Sequence, residues 1–321
     1  MAEIGKDVGY ARRLLEEGEL VAIPTETVYG LAGNALDSSS IAKIFSTKNR
    51  PEFDPLIVHV ADIEHAQNYV EEIPAKAKLL ADHFWPGPLT LLLKRKSSIP
   101  DLVTSGLDTV GIRCPDHVLT RELLSSLPFP LAAPSANPFG YVSPTLPQHV
   151  NEQLGNKIKY ILDGGACTIG IESTIVGFEG EEAIIYRLGG LSAEKIESLI
   201  GKVKIETHSS SNPKAPGQMK SHYAPSKKVI LGNLKELLYQ QQGKKFGILS
   251  FRSNLQLPYQ IILSPSGQVE EAAQNLFAAL REFDKMPVEH VIAELVPDVG
   301  IGRAINDRLR RAAAVEEGTR R

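Results

Sequence analysis

Residues 20–60 read LVAIPTETVYGLAGNALDSSSIAKIFSTKNRPEFDPLIVHV. The apolar run Leu20-Val21-Ala22-Ile23 predicts a buried strand. A polar turn with Thr25, Glu26 and Thr27 follows, then the small residues Gly30-Leu31-Ala32-Gly33. Ser38 to Ser40 offer N-caps for a helix carrying Ile41, Ile44 and Phe45 on one face. That helix delivers Lys48-Asn49-Arg50-Pro51, and a second apolar strand, 56–60, holds one histidine, His59. Strand, hydroxyl-rich turn, helix, cationic pair and strand is an order that can build an anion site.

Outward from this stretch, 7–18 reads as an amphipathic helix, with Val8, Ala11, Leu14 and Leu15 at helical spacing and Gly18 as its stop. Helices are expected over 63–70, 74–84, 116–126 and 193–200. Strands are expected over 89–93, 109–115, 130–133 and 159–163, with a hairpin from 173–178 and 183–187. Strands alternate with helices but hairpins intrude, so the sheet should be mixed. Residues 206–227 lose periodicity and read as a linker, yet contain the varied run Met219-Lys220-Ser221-His222-Tyr223-Ala224-Pro225. A second α/β unit follows, with strands at 229–231, 246–251 and 290–293 and helices at 234–241, 270–283 and 304–314.

The chain's 321 residues suffice for two cores. A net charge of −3 gives no global reason for a nucleic-acid or membrane partner, although a local basic groove is compatible with it. Cys114 and Cys167 are too few for a disulfide framework and lack metal-ligand spacing, so they read as buried thiols. The N-terminus carries Glu3 and Asp7 and does not read as a signal peptide. No run reaches the roughly 18 apolar residues of a spanning helix. A protein of the cytoplasm is expected.

Lys48 and Arg50 read either as a solvated pair or, with Pro51 stiffening the exit, as a phosphate site. Ser135 and Asn137 follow a short strand, where open α/β sheets bind ligands; an ordinary Asx-turn is the alternative. Arg113 lies among apolar neighbours and needs an anionic partner, either internal or a ligand carboxylate. His59 reads as a core histidine or a ligand contact. Walker, dinucleotide, zinc and nucleophile-elbow patterns are missing. The residues alone therefore describe a cationic, hydroxyl-rich cleft for an anion and no obvious nucleophile.

The blocks Pro24 to Leu31, Lys48-x-Arg50-Pro51, Pro55 to His59, Trp85 to Thr90, Val110 to Pro115 and Pro134 to Asn137 together resemble the Sua5/YrdC family. Asp163-Gly164-Gly165, Glu172 to Ile175 and Arg187-Leu188-Gly189 continue the likeness. Pro216 to Pro225 and Gly302-x-Ala304-x-x-Asp307-Arg308-Leu309 resemble its long, two-domain Sua5 form. The resemblance implies a YrdC-like twisted mixed sheet around a concave cationic cleft over 1–205. It also implies a linker over 206–227 folding across the site, and a smaller α/β Sua5 domain over 228–321.

It implies, further, an enzyme that joins L-threonine, bicarbonate or CO₂ and ATP, with Mg²⁺, into threonylcarbamoyl-AMP and pyrophosphate. The product would serve modification of adenosine 37 in tRNA, with tRNA reached only through transfer machinery and no membrane involved. By position, the resemblance assigns ATP to Lys48, Arg50, Asp54, Thr109, Ser135, Asn137, Ser143 and Arg187, with His222 and Tyr223 as linker contacts and Lys48 and Arg50 as the catalytic cations. Threonine falls to Thr27, His59, Arg113, Ala133 and Ser173, with Arg113 on its carboxylate and Ala133 acting through its backbone. No metal ligand is assigned to a protein side chain. The rival readings are a non-catalytic double-stranded RNA or nucleic-acid binder using the basic groove, and the carbamoyl-adenylate chemistry of hydrogenase maturation proteins.

Overall fold

A computed structural model describes residues 1–207, 215–216, 223–241 and 243–314. In the first half, strands β1 (Glu3–Gly5), β2 (Val21–Ile23), β3 (Gly30–Asn34) and β4 (Ile57–His59) alternate with helices α1 (Val8–Glu16) and α2 (Ser38–Lys48). The chain continues through α3 (Ile63–Ala66), α4 (Ala75–Phe84), β5 (Leu89–Lys94), α5 (Asp101–Thr104), β6 (Thr109–Arg113), α6 (Val118–Ser126), β7 (Leu131–Ala132), α7 (Pro147–Leu154) and β8 (Tyr160–Leu162). The hairpin β9 (Thr174–Glu179) and β10 (Glu182–Arg187), helix α8 (Ala193–Ile200) and β11 (Lys204–Ile205) complete it.

These strands form one 11-stranded sheet in the order β1-β8-β2-β3-β7-β4-β6-β5-β9-β10-β11. It is mixed, as the intruding hairpins imply: β4 runs parallel to β6 and β5 to β9, whereas β2–β3, β5–β6 and β9–β10 are antiparallel. The second half comprises β12 (Lys228–Leu231), α9 (Leu234–Gln240), β13 (Phe246–Ser250), β14 (Gln260–Ile262), α10 (Val269–Lys285), β15 (His290–Ala293) and α11 (Gly302–Ala313). Its sheet, β12-β15-β13-β14, is parallel throughout.

Several local expectations need correcting. The small-residue run after the polar turn is strand β3, hydrogen-bonded between β2 and β7. Glycine and alanine have little strand propensity, so only pairing in the interior of the sheet reveals it. Helix α2 is capped by Asp37, whose carboxylate accepts from the amides of Ser39 and Ser40, and the serines form its first turn. The helix expected over 63–70 is the shorter α3, and the extended segments β1, β11 and β14 and the helices α5 and α7 carry little sequence signal.

The two domains are not strung on a line. Val28, Val142 and Ile171 from the first pack in one apolar cluster with Leu276, Phe277 and Leu280 of α10. At Gly170, with φ of +80°, an added Cβ would come within 2.5 Å of the Cα of Gln274. That backbone approach needs glycine both for its torsion and for its missing side chain.

Candidate active site

Parallel pairing of β4 with β6 puts His59 beside Arg113, and antiparallel pairing of β4 with β7 brings Ala133 next to them, its amide bonded to the Ile57 carbonyl at 3.0 Å. Alternation along β4 turns Ile57 and His59 to the same face, and both line one cavity. Arg50, Arg113, Ser135, Glu172, Arg187, Pro216 and Tyr223 also line it. The three guanidinium groups are buried, at 9%, 4% and 6% exposure for Arg50, Arg113 and Arg187.

Each cation is held by a different device. Asn49 ends α2 in the left-handed region at φ 52°, a conformation asparagine tolerates. The turn it makes directs Arg50 onto the carbonyls of Asp54 and Pro55, at 3.0 and 2.8 Å, and into an ion pair with Asp54 at 2.9 Å. The charge of Asp54 is thus offset by this guanidinium. Lys48 lies beneath the cavity, and its ammonium donates to the carbonyls of Ser135 and Asn137. Burial, and then the neighbouring Arg50, pull its pKa well below that of an ordinary lysine. Arg187 donates to the carbonyl and hydroxyl of Ser173, at 3.0 and 2.9 Å, and burial lowers its pKa to about 10.

His59 is the uncharged member. Burial and the adjacent Arg113 lower its pKa to about 3, and Nδ1 lies 3.3 Å from the Ile57 carbonyl. Arg113 has the internal partner that its burial demanded: Nη2 meets the Glu26 carboxylate at 2.6 Å. Its Nε has no hydrogen-bond partner among the described residues. The cavity's volume is about 60 Å³, far below the several hundred Å³ typical of small-molecule pockets.

Arg50, His59, Arg113, Ala133, Ser135, Arg187 and Tyr223 line the cavity directly. Lys48, Asp54, Asn137, Ser143, Ser173 and Thr27 are buried one bond behind it. Lys48 bonds Ser135 and Asn137, Asp54 pairs with Arg50, and Ser173 receives Arg187. Ser143 donates to Glu172 at 2.6 Å, and Thr27 shares a 2.8 Å hydroxyl bond with Thr25. Thr109 stands apart, at the opposite end of β6 from Arg113. It lines a separate depression with Leu92, Lys94 and Tyr186. His222 lies outside the described residues. Of the linker, Ala215 packs on Ile57, Ile175, Ile184 and Tyr186, and the Pro216 carbonyl lies 3.5 Å from Arg187.

Sequence reasoning missed three residues. Glu26 sits in the polar turn and holds Arg113; an acid among buried neighbours was the available signal. Glu172 precedes Ser173 and faces the cavity. Arg308 of α11, fully buried, reaches across the domain boundary to Glu172 at 3.0 Å; no local pattern reports such a contact. Cys114 and Cys167 are free and buried, and burial raises the Cys114 thiol to about 11. Among the described residues no group of three or more His, Cys, Asp or Glu is placed to hold a metal ion, and no helix is long and apolar enough to cross a membrane.

A mixed sheet whose concave face gathers buried guanidinium groups, a neutral histidine and hydroxyls defines an anion-binding α/β protein. The family model described as "Telomere recombination" (Sua5, YciO and YrdC) matches residues 13–189, and the model described as "Threonylcarbamoyl-AMP synthase, C-terminal domain" matches 191–314. The chain belongs to the two-domain branch of this family, the Sua5 type. It is 41% identical to the threonylcarbamoyl-AMP synthase of Pyrococcus abyssi over 94% of its own length and 93% of that protein's. Against the Bacillus subtilis synthase the identity is 40%, with 95% and 92% covered. The crystal structure of Pyrococcus abyssi Sua5 complexed with L-threonine superposes with a TM-score of 0.91 at 40% identity, covering 98% of this chain and 97% of that one. A full-length HypF structure at 23% identity and TM-score 0.52 shares the fold over 58% of this chain and 29% of its own.

Proposed function

We propose that this protein is a threonylcarbamoyl-AMP synthase, making L-threonylcarbamoyladenylate and pyrophosphate from L-threonine, ATP and bicarbonate or CO₂. The observation that carries the reading is the convergence of Arg50, Arg113 and Arg187 on one cavity, in a chain about 40% identical over most of its length to synthases of this name.

In this scheme the substrate carboxylate is met by Arg113, whose Nε is free to donate. The amine takes up CO₂ to form a carbamate, releasing a proton. A carbamate oxygen then attacks the α-phosphorus, and the bond to the bridging oxygen of pyrophosphate breaks. Negative charge develops on phosphate oxygens, and buried cations offset it more strongly than exposed ones would. Lys48 holds the Ser135–Asn137 loop by its carbonyls, leaving the Ser135 side chain to the nucleotide. His59, uncharged, supplies a hydrogen bond without competing for the carboxylate. Alignment carries most of the rate, which suits a site without a nucleophile.

Mg²⁺ would enter with ATP, held mainly by phosphate oxygens and water as is usual for this ion, and would neutralise charge on the leaving pyrophosphate. The acids at or behind the cavity wall, Asp54, Glu172 and Glu26, are already ion-paired with arginines. Thr109, on the same face of β6 as Arg113, marks the direction in which a bound nucleotide would extend. The product would pass to transfer machinery acting on tRNA in the cytoplasm. Duplex-RNA binding through these cations is disfavoured because all three are buried too deeply to reach a phosphate backbone.

Purified protein given ATP, Mg²⁺ and bicarbonate should release pyrophosphate only when L-threonine is added. Release indifferent to threonine would transfer the assignment to another carbamoyl-adenylate chemistry. No turnover, with salt-sensitive RNA binding, would overturn the enzyme reading.

A further inference from the structure

Glu172 is the one carboxylate among the described residues lining a cavity otherwise rich in guanidinium groups. Its Oε1 accepts from Ser143 Oγ at 2.6 Å, and its Oε2 accepts from Arg308 Nε at 3.0 Å. Arg308 has no solvent exposure; its Nη1 donates to Asp307 at 2.8 Å, and Asp307 also accepts from Arg311 Nε at 3.0 Å. The Arg308 guanidinium lies 5.0 Å from the centre of the Tyr223 ring, which itself lines the cavity. The carboxylate is therefore fixed from both sides, and its cation comes from the C-terminal domain.

An ionised carboxylate offers about four lone-pair positions, and two are taken here. Glu172 lines a cavity whose other charged walls are donors. A substrate carrying an amine beside its carboxylate needs an acceptor for its N–H groups, since arginines can only donate. We propose that Glu172 holds the substrate's amino group, and that Arg308 is a positioning residue that aims Glu172. The inference rests on the threonine-dependent synthase reading. Held by Ser143 and Arg308, Glu172 acts as an acceptor that orients the nitrogen. The carbamate nitrogen keeps one N–H, so the same contact persists after CO₂ has added.

The C-terminal domain then serves the reaction directly, through a buried charge placed against the cavity wall. From another direction Arg281 of α10 donates to the Ser143 carbonyl at 3.3 Å, steadying the other neighbour of Glu172.

The test uses the full-length protein and compares L-threonine with 2,3-dihydroxybutanoate, which replaces the amine by a hydroxyl. Wild-type protein should bind threonine at least tenfold more tightly, as measured by competition. Glu172→Gln should raise the threonine KM roughly tenfold, leave the ATP KM within threefold, and collapse the preference over the amine-free analogue. Arg308→Met should act in the same direction, and the double variant should be no worse than the poorer single one. Should Glu172→Gln fail to fold, Glu172→Asp keeps the charge opposite Arg308, draws it back by one methylene, and should lose the same discrimination. A preference unchanged in folded Glu172 variants would overturn the inference, as would additive effects of the two substitutions. Wild-type protein without threonine-dependent turnover would instead overturn the underlying reading.

Discussion

The Glu26 carboxylate and the Arg113 guanidinium form an ion pair at 2.6 Å, both side chains 5% exposed, and the second carboxylate oxygen accepts the Asp116 amide at 3.1 Å. Glu26 does not line the cavity whereas Arg113 does. The acid thus fixes the guanidinium from behind.

Replacing Glu26 by Gln should strand a buried cation, which costs about 3 kcal/mol. The expected outcome is a lower Tm together with a threonine KM raised tenfold or more, since Arg113 loses its orientation. Threonine titration by calorimetry checks it; unchanged affinity in a folded variant would show that Arg113 needs no such support.

Lys48→Met keeps an unbranched chain of similar length but cannot donate to the carbonyls of Ser135 and Asn137. The loop it anchors should loosen, so kcat/KM for ATP should fall by a hundredfold or more while threonine still binds within threefold of wild type. Steady-state kinetics combined with threonine binding separates these effects. A loss of threonine affinity equal to the loss for ATP would contradict the placement of Lys48 on the nucleotide side.

Acid should weaken the fold through two histidines. Burial, with Arg113 beside one and Arg281 beside the other, lowers His59 to about 3 and His149 to about 4. Both titrate near 6.5 when unfolded, so between those values the unfolded chain binds more protons. Their contribution is complete above pH 6.5 and is lost as pH falls toward 4, by up to about 1.4 kcal/mol per unit for each group. Denaturant melts from pH 7.5 to 5 should show this slope, and His149→Gln should flatten it.

Gly170→Ala should prise the domains apart. A left-handed alanine costs roughly 1–2 kcal/mol, and its Cβ would collide with the α10 backbone at Gln274. Tm should drop by several degrees, and limited proteolysis should cut between the domains faster. Cleavage at the wild-type rate would mean that the contact does not hold them together.

The order of elements was legible because it rests on local rules. Apolar runs marked β2, β4, β5 and β6, and helical spacing marked α1, α2 and α10. The cationic cleft was legible as residue types, though not as geometry. Arg113 showed from its neighbours alone that it needed an anion, but not that Glu26, 87 positions away, supplies it. Strand β3 was hidden because its glycines and alanines acquire strand character only between β2 and β7. Lys48 and Arg50, two positions apart in sequence, part company in space: one supports a loop from below and the other forms a wall.

By itself the sequence determined an α/β chain with two cores, the run of hydroxyls and cations that meets an anion, and a pattern of blocks shared with one family. These follow from periodicity, capping and residue chemistry, all of which act over a few positions. Only the tertiary structure decided which cations face the cavity, which are tied beneath it, and that Arg308 of the last helix completes the wall through Glu172. Those relationships depend on strand register and domain docking, in which residues more than a hundred positions apart are brought within hydrogen-bonding distance by burial of apolar surface that no single stretch contains.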